Sequence, residues 1–205
     1  MWVNHLYTCL DLEKYDDAIQ TCAELLNLRA RKSSSESVPL PEEKCVRAVV
    51  GGALRRDREA RATGDGPASA SSRRTLARVQ ELLDRLKSAV TSEVWIYEVS
   101  AYFHQAVGLR EGALDDLMKE YRRLQSTDWA RDPATTSRMN NVVHAIVGAY
   151  KAEGTGASAL KGKLLVNGAL KKLRAAAGEA EPPAEVREME ALLSELEKGT
   201  ASATE

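Results

Sequence analysis

The chain has 205 residues, with 29 Lys and Arg against 30 Asp and Glu and a formal net charge of −1. This near-neutral balance speaks against a dedicated nucleic-acid binder, and no run approaches the ~20 consecutive apolar residues needed to span a bilayer. A hydrophobic share of 43% with 29% charged residues excludes an intrinsically disordered chain. Met1 to Cys9 lacks the basic and apolar regions of a secretory signal. Cys9, Cys22 and Cys45 form an odd set without metal-type spacing and read as reduced thiols of a cytoplasmic or nuclear protein.

Apolar residues recur at helical spacing almost throughout, and strand-like alternation is nearly absent. Trp2 to Leu10 forms a short helix. The polar turn Asp11 to Lys14 leads into a second, whose face carries Tyr15, Ala18, Ile19, Cys22, Leu25 and Leu26. A loop is expected over 32–40. Pro41 with Glu42 and Glu43 then opens a helix, because proline suits a first helical position and acids there favour the dipole. Val46, Val49, Val50, Ala53 and Leu54 are its buried stripe. A second mobile loop is expected over 61–72, where Gly, Ala, Ser and Pro dominate from Gly64 to Ser72.

The helical pattern resumes from Arg73, with Leu76, Val79, Leu82, Leu83, Leu86 and Val90 on one side. Ser92 caps a helix over 93–107. Gly108 to Gly112 turns the chain, and Leu114, Leu117, Met118, Tyr121 and Leu124 form the next stripe. Asp132-Pro133 is a strong start signal for the helix carrying Met139, Val142, Val143, Ile146, Val147 and Tyr150. Gly154 and Gly156 break it. Leu160, Leu164, Leu165, Leu170 and Leu173 mark another helix, and Pro182-Pro183 with Glu185 opens the last, with Val186, Met189, Leu193 and Leu196 at heptad-like spacing. The expected fold is all-α: about nine helices stacked as antiparallel pairs in a superhelix, in one domain over 1–198 with a disordered tail over 199–205.

The first helix pair carries more than periodicity. Trp2, the turn Glu13-Lys14-Tyr15-Asp16-Asp17 and Ala18 follow the order of a tetratricopeptide repeat, in which a Trp opens helix A and a small Ala in helix B lets the backbones approach. The small residue usual in mid helix A is Leu6 here, and the closing proline is Ala30. Trp95, Tyr102 and Arg110 to Leu114, with Ala113 as the small residue, repeat the order at slightly longer spacing, so the repeats are irregular. Trp2, Tyr15, Ala18, Trp95, Tyr102 and Ala113 are the expected repeat-packing residues.

More finely, Trp2-Val3-Asn4, Asp11 to Ile19, Leu25 to Arg29, Val46 to Val49, and Glu93-Val94-Trp95 with Tyr102 resemble the C-terminal part of the tetratricopeptide repeat protein 27 family. The agreement is best over about the first fifty residues; beyond Trp95 it rests on order and pattern. Family members are longer, with further repeats before this segment, so the resemblance implies a C-terminal portion of a longer chain. It also implies a non-enzymatic adaptor, linked to fungal cell-wall integrity and to assembly of large ribonucleoprotein machinery.

Candidate sites are few. His5, His104 and His144 lie far apart on different helices. No HExxH, CxxC or phosphate-binding glycine loop is present, and Gly51-Gly52 and Gly64-Asp65-Gly66 lack the flanking strand and the Lys-Ser/Thr of such a loop. Neither catalysis nor a metal or cofactor is expected, nor a small-molecule substrate or a membrane. His104 reads as a packed helical histidine. Trp129, in the polar stretch 126–131, either wedges between helix pairs or anchors a partner. Arg55, Arg56, Arg58 and Arg61, then Arg73, Arg74 and Arg78, bracket the second loop. They are either a solvated helix end or a contact for RNA or an acidic partner. Asn4, Asn140, Asn141 and Lys151 are the residue types of a carboxylate clamp, but nothing in the sequence brings them together. The leading expectation is a scaffold for protein partners; a module that contacts RNA through the Arg cluster is the alternative.

Overall fold

The computed structural model describes residues 2–31, 38–64, 66–90, 93–178 and 184–201. Among them stand nine α-helices and no strand: α1 (Trp2–Asp11), α2 (Tyr15–Arg31), α3 (Glu43–Thr63), α4 (Gly66–Ala89), α5 (Trp95–Ala106), α6 (Arg110–Gln125), α7 (Pro133–Glu153), α8 (Gly156–Ala177) and α9 (Ala184–Ala201). Residues 32–37 of the first expected loop, Ser92, Pro182 and Pro183 fall outside the described residues. The helices group into two compact units, Met1–Leu109 and Arg110–Glu205, where the sequence suggested one domain. α9 runs to Ala201, past the expected boundary at 198.

In the first unit α1 pairs with α2 and α3 with α4. α1 also packs on α3, α2 on α4, and α3 and α4 on α5. This is the neighbour pattern of stacked hairpins. The α1–α2 turn is tight because Glu13 takes the left-handed conformation (φ 54), while Glu13 N–H bonds Leu10 C=O and Lys14 N–H bonds Cys9 C=O. These bonds satisfy carbonyls that the end of α1 would otherwise leave open. Ala18 is completely buried, as a close helix crossing requires, and the core around it gathers Leu6, Val49, Leu83, Ile96 and Phe103.

Two boundaries differ from expectation. Pro41 stands before the helix it was read to open: Glu42 is the N-cap, and α3 begins at Glu43. The loop expected over 61–72 shrinks to the short link between Thr63 and Gly66, with Gly64 left-handed at φ 67. Small polar composition disguised a helix that tertiary hydrogen bonds hold. Ser72 Oγ donates to Asp57 Oδ1 at 2.7 Å, and Thr75 Oγ1 donates to Asp16 Oδ1 at 3.1 Å. The turn read at 108–112 is shorter too. Gly108 (φ 83) closes α5, with Leu109 N–H bonding His104 C=O at 2.8 Å, and α6 starts at Arg110.

In the second unit α6 packs on α7, and α7, α8 and α9 pack on one another. Asp132 caps α7 as its sequence signal requires, accepting Thr135 N–H at 2.9 Å with Pro133 in the first turn. Thr155 likewise caps α8, and Gly156 is its first residue rather than a breaker. α9 is fastened by Lys151 to Glu195 at 2.7 Å and Arg174 to Glu190 at 2.6 Å, and Asn140 Nδ2 donates to Glu188. Its buried stripe runs Val186, Met189, Leu192 and Leu196, with Leu193 half-buried at its margin.

Adjacent glycines of α3 give a paired test. A Cβ on Gly52 would lie 2.1 Å from the Tyr15 ring, whereas one on Gly51 meets nothing within 4 Å. Gly51→Ala is expected to raise the melting temperature, through the ~0.5–1 kcal/mol that a helical glycine costs. Gly52→Ala is expected to lower it, because overpacking costs about 1–3 kcal/mol. Thermal unfolding followed by circular dichroism checks both signs.

Candidate partner-binding surface

In the first unit a line of polar contacts crosses α1, α3 and α5. Tyr7 Oη donates to Glu42 Oε2 at 2.9 Å. Lys44 Nζ lies 3.1 Å from the same oxygen and 5.1 Å from the Tyr7 ring centroid. The Tyr7 hydroxyl, and after it Lys44, hold the Glu42 carboxyl below the usual carboxylate range. One turn further along α3, Arg47 bridges Glu43 at 2.7 Å and Glu98 of α5 at 3.0 Å. Such exposed pairs contribute little stability each. They order the side chains of this face.

On α5 Trp95 is half-buried against the core, and Tyr102, two turns on, is 53% exposed beside the buried Val99 and Phe103. Leu109, 52% exposed, follows the left-handed Gly108 and lies outside the helix. Tyr102 is therefore a surface residue and not the packing residue its repeat position suggested. Ala113, the small residue expected to complete that repeat, is buried on α6 in the second unit, so the expected second helix pair is divided between the units. Trp2 is 40% exposed at the open end of the stripe formed by Leu6 and Cys9. Tyr15 and Ala18 are buried where the repeat places them.

The arginine cluster divides. Arg55 Nη2 donates to Glu13 Oε1 at 2.6 Å and to Tyr15 Oη at 2.7 Å. Arg56 donates to Glu13 C=O at 2.7 Å, with its guanidinium 4.9 Å from the Tyr15 ring centroid. Arg61 pairs with Asp57, and Arg78 with Asp16. Arg55, Arg56 and Arg78 thus tie α3 and α4 to the α1–α2 hairpin, whereas Arg61 pairs within α3. Arg58, Arg73 and Arg74 are exposed.

Trp129 is buried to 1% exposure within the α6–α7 connection. Its carbonyl accepts Thr136 Oγ1 at 2.7 Å, and Lys172 Nζ lies 5.8 Å from its ring centroid while donating to Gln125 C=O. His104 is buried, with Nε2 2.8 Å from Gln80 Oε1, as a packed histidine. Burial, and then the neighbouring Cys45, push the Cys22 thiol up to about 12, so it is not a nucleophile at neutral pH. Asn4 lies on α1, whereas Asn140 and Lys151 lie on α7 and are engaged with α9 carboxylates, so the structure does not assemble these residues into a clamp.

Sequence reasoning missed three features. Arg47–Glu98 and the exposed Leu109 left no signal beyond ordinary helix-surface residues. The buried Asp116 and Glu120, the latter 2.8 Å from Arg138 Nε, were visible as acids at core positions of the α6 stripe beside Leu117 and Leu124. A shallow cleft of about 630 Å³ between α2 and α4 is lined by Leu26, Ala30, Ala77, Gln80 and Glu81 and gathers no catalytic set. Among the described residues no group of three or more His, Cys, Asp or Glu side chains is arranged to hold a metal ion. None of their helices is long and apolar enough to cross a membrane.

No protein-family model matches the chain, and no curated protein matches it. A solved structure does: a chain described as a Podosopora anserina kinesin light chain with nearly identical TPR-like repeats. The TM-score is 0.53 at 12% identity, over 98% of this chain and 86% of that one. At that identity the likeness speaks for the fold. The chain has a TPR-like helical-repeat fold.

Two substitutions test the α6–α7 connection. Trp129→Ala is expected to cost about 3–5 kcal/mol in denaturant unfolding, the range for emptying a large buried aromatic site. Asp132→Ala is expected to lower the melting temperature at neutral pH. The Thr135 backbone N–H, and then its hydroxyl, hold the Asp132 pKa below its ordinary value. The cap therefore stabilises fully above the unfolded-state pKa of about 3.9 and fades as pH falls through the lower folded value. Melting temperatures of variant and parent should converge on acidification.

Proposed function

We propose that the chain is a scaffold for protein–protein interaction, an adaptor in the assembly of larger complexes, acting from a cytoplasmic or nuclear location. The observation that carries this reading is the exposed Tyr102 of α5, which offers aromatic area to a partner on the helix that also carries the Arg47–Glu98 bridge. Aromatic side chains flanked by fixed polar groups are the usual makings of an interface hot spot. The helices beneath are locked by their own core, so docking needs little rearrangement. The TPR-like fold supports the same reading. The residues shared with the tetratricopeptide repeat protein 27 family, from Trp2 through Ile19 above all, favour that family and its adaptor role. Since Arg55, Arg56, Arg61 and Arg78 are spent within the fold, the basic cluster gives RNA binding little to stand on.

A photo-crosslinking amino acid at position 102 should capture a discrete protein partner in cells, whereas the same group at exposed Glu197 on α9 should not. Tyr102→Ala is expected to weaken that capture roughly tenfold or more, the scale of a hot-spot residue, with unchanged thermal unfolding. Equal capture from both positions, or none from 102, would overturn the proposal.

A further inference from the structure

The outward face of α8 is written as a short coiled-coil seam, on a helix other than the one that carries Tyr102. Leu160 and Leu164, two of the leucines that mark this helix in the sequence, are 59% and 65% exposed, the most exposed large apolar side chains of the second unit among the described residues. Small residues take the core positions instead. Gly162 is buried, and a Cβ there would lie 3.5 Å from Leu196; Leu165, Val166, Ala169 and Leu170 bury the same side. The exposed ridge then reads Leu160, Leu164, Asn167 and Lys171 at alternating spacings of four, three and four, the d-a-d-a pattern of a heptad. Lys161 and Lys163 fall at the flanking e and g positions.

Charge decides what fits there. α8 carries five cations and no acid. Arg174 is matched by Glu190 at 2.6 Å. Lys171 has no carboxylate partner among the described residues, and Lys161 meets the Tyr150 ring, 5.9 Å from its centroid. A second copy of α8 would set Lys161 and Lys171 against like charges, which coiled-coil partners avoid. An anionic membrane would need a continuous apolar face. Here Asn167 and Lys171 interrupt the ridge after one turn, and α7 and α9 clasp the opposite side, so the helix cannot roll. We infer that Leu160 and Leu164, with Lys161 and Lys171 beside them, dock an acidic amphipathic helix of another protein, with apolar residues at the seam and Asp or Glu flanking it. Asn167 at a seam position fixes the register.

The probe is a fluorescein-labelled synthetic helix with Leu at a and d and Glu at e and g, titrated with the full chain. Saturable binding is expected, weakening severalfold between low and moderate salt. Leu160→Ser with Leu164→Ser should reduce affinity at least tenfold without changing thermal unfolding. Lys161→Glu with Lys171→Glu should lose the acidic helix and gain the same helix carrying Lys at e and g. Tyr102→Ala should leave this binding intact, so failure here and failure of the α5 surface are read separately. No binding, or binding that survives the charge reversal, would overturn the inference. Cosedimentation with phosphatidylserine vesicles instead of peptide binding would point to a membrane. A dimer abolished by the leucine substitutions would point to self-association.

Discussion

The approach of the Tyr15 ring to the bare backbone of Gly52 sets the spacing of the first unit. A side chain at position 52 would push α3 away from the start of α2, and the α1–α2 hairpin would lose the surface it leans on. Arg55 and Arg56 then clamp the same ring, one through its hydroxyl and one across its face, and both hold Glu13 in the turn. One aromatic, one glycine and two guanidinium groups thus join three helices. Several arginines that look free in the sequence are committed to contacts within the fold.

The second unit is organised differently. Its α6–α7 connection turns around Trp129, whose carbonyl gathers threonine hydroxyls from the first turn of α7 and whose ring lies beneath Lys172 of α8. A polar connection with a buried tryptophan at its centre behaves as a packed element. The Glu120–Arg138 pair beneath it is costly to bury and costly to break, so it fixes how α6 meets α7 more than it adds stability.

Much of this was legible in the sequence. The repeat order of Trp2, Tyr15 and Ala18 announced the first hairpin, and Asp132-Pro133 announced α7, because those signals act within a turn or two of chain. What escaped depends on distant partners. The start of α4 looked like a linker, since nothing local reveals that Ser72 and Thr75 would find Asp57 and Asp16. Leu160 and Leu164 mark α8 in the sequence yet stand exposed, since periodicity marks apolar residues but does not say which side of a helix its neighbours will cover. In α8 the covered side is built from Gly162 and Ala169, small residues that a hydrophobic stripe underweights. Tyr102 was assigned to packing from its place in the repeat order, which does not say what covers that face.

All three cysteines belong to the first unit, and all are buried in its core. Their sulfurs are shielded from oxidants and alkylating reagents for as long as α1 to α5 stay together. The second unit contains none. Thiol labelling therefore keeps a one-sided clock: it advances when the N-terminal hairpins breathe and stays silent when α6 to α9 open alone.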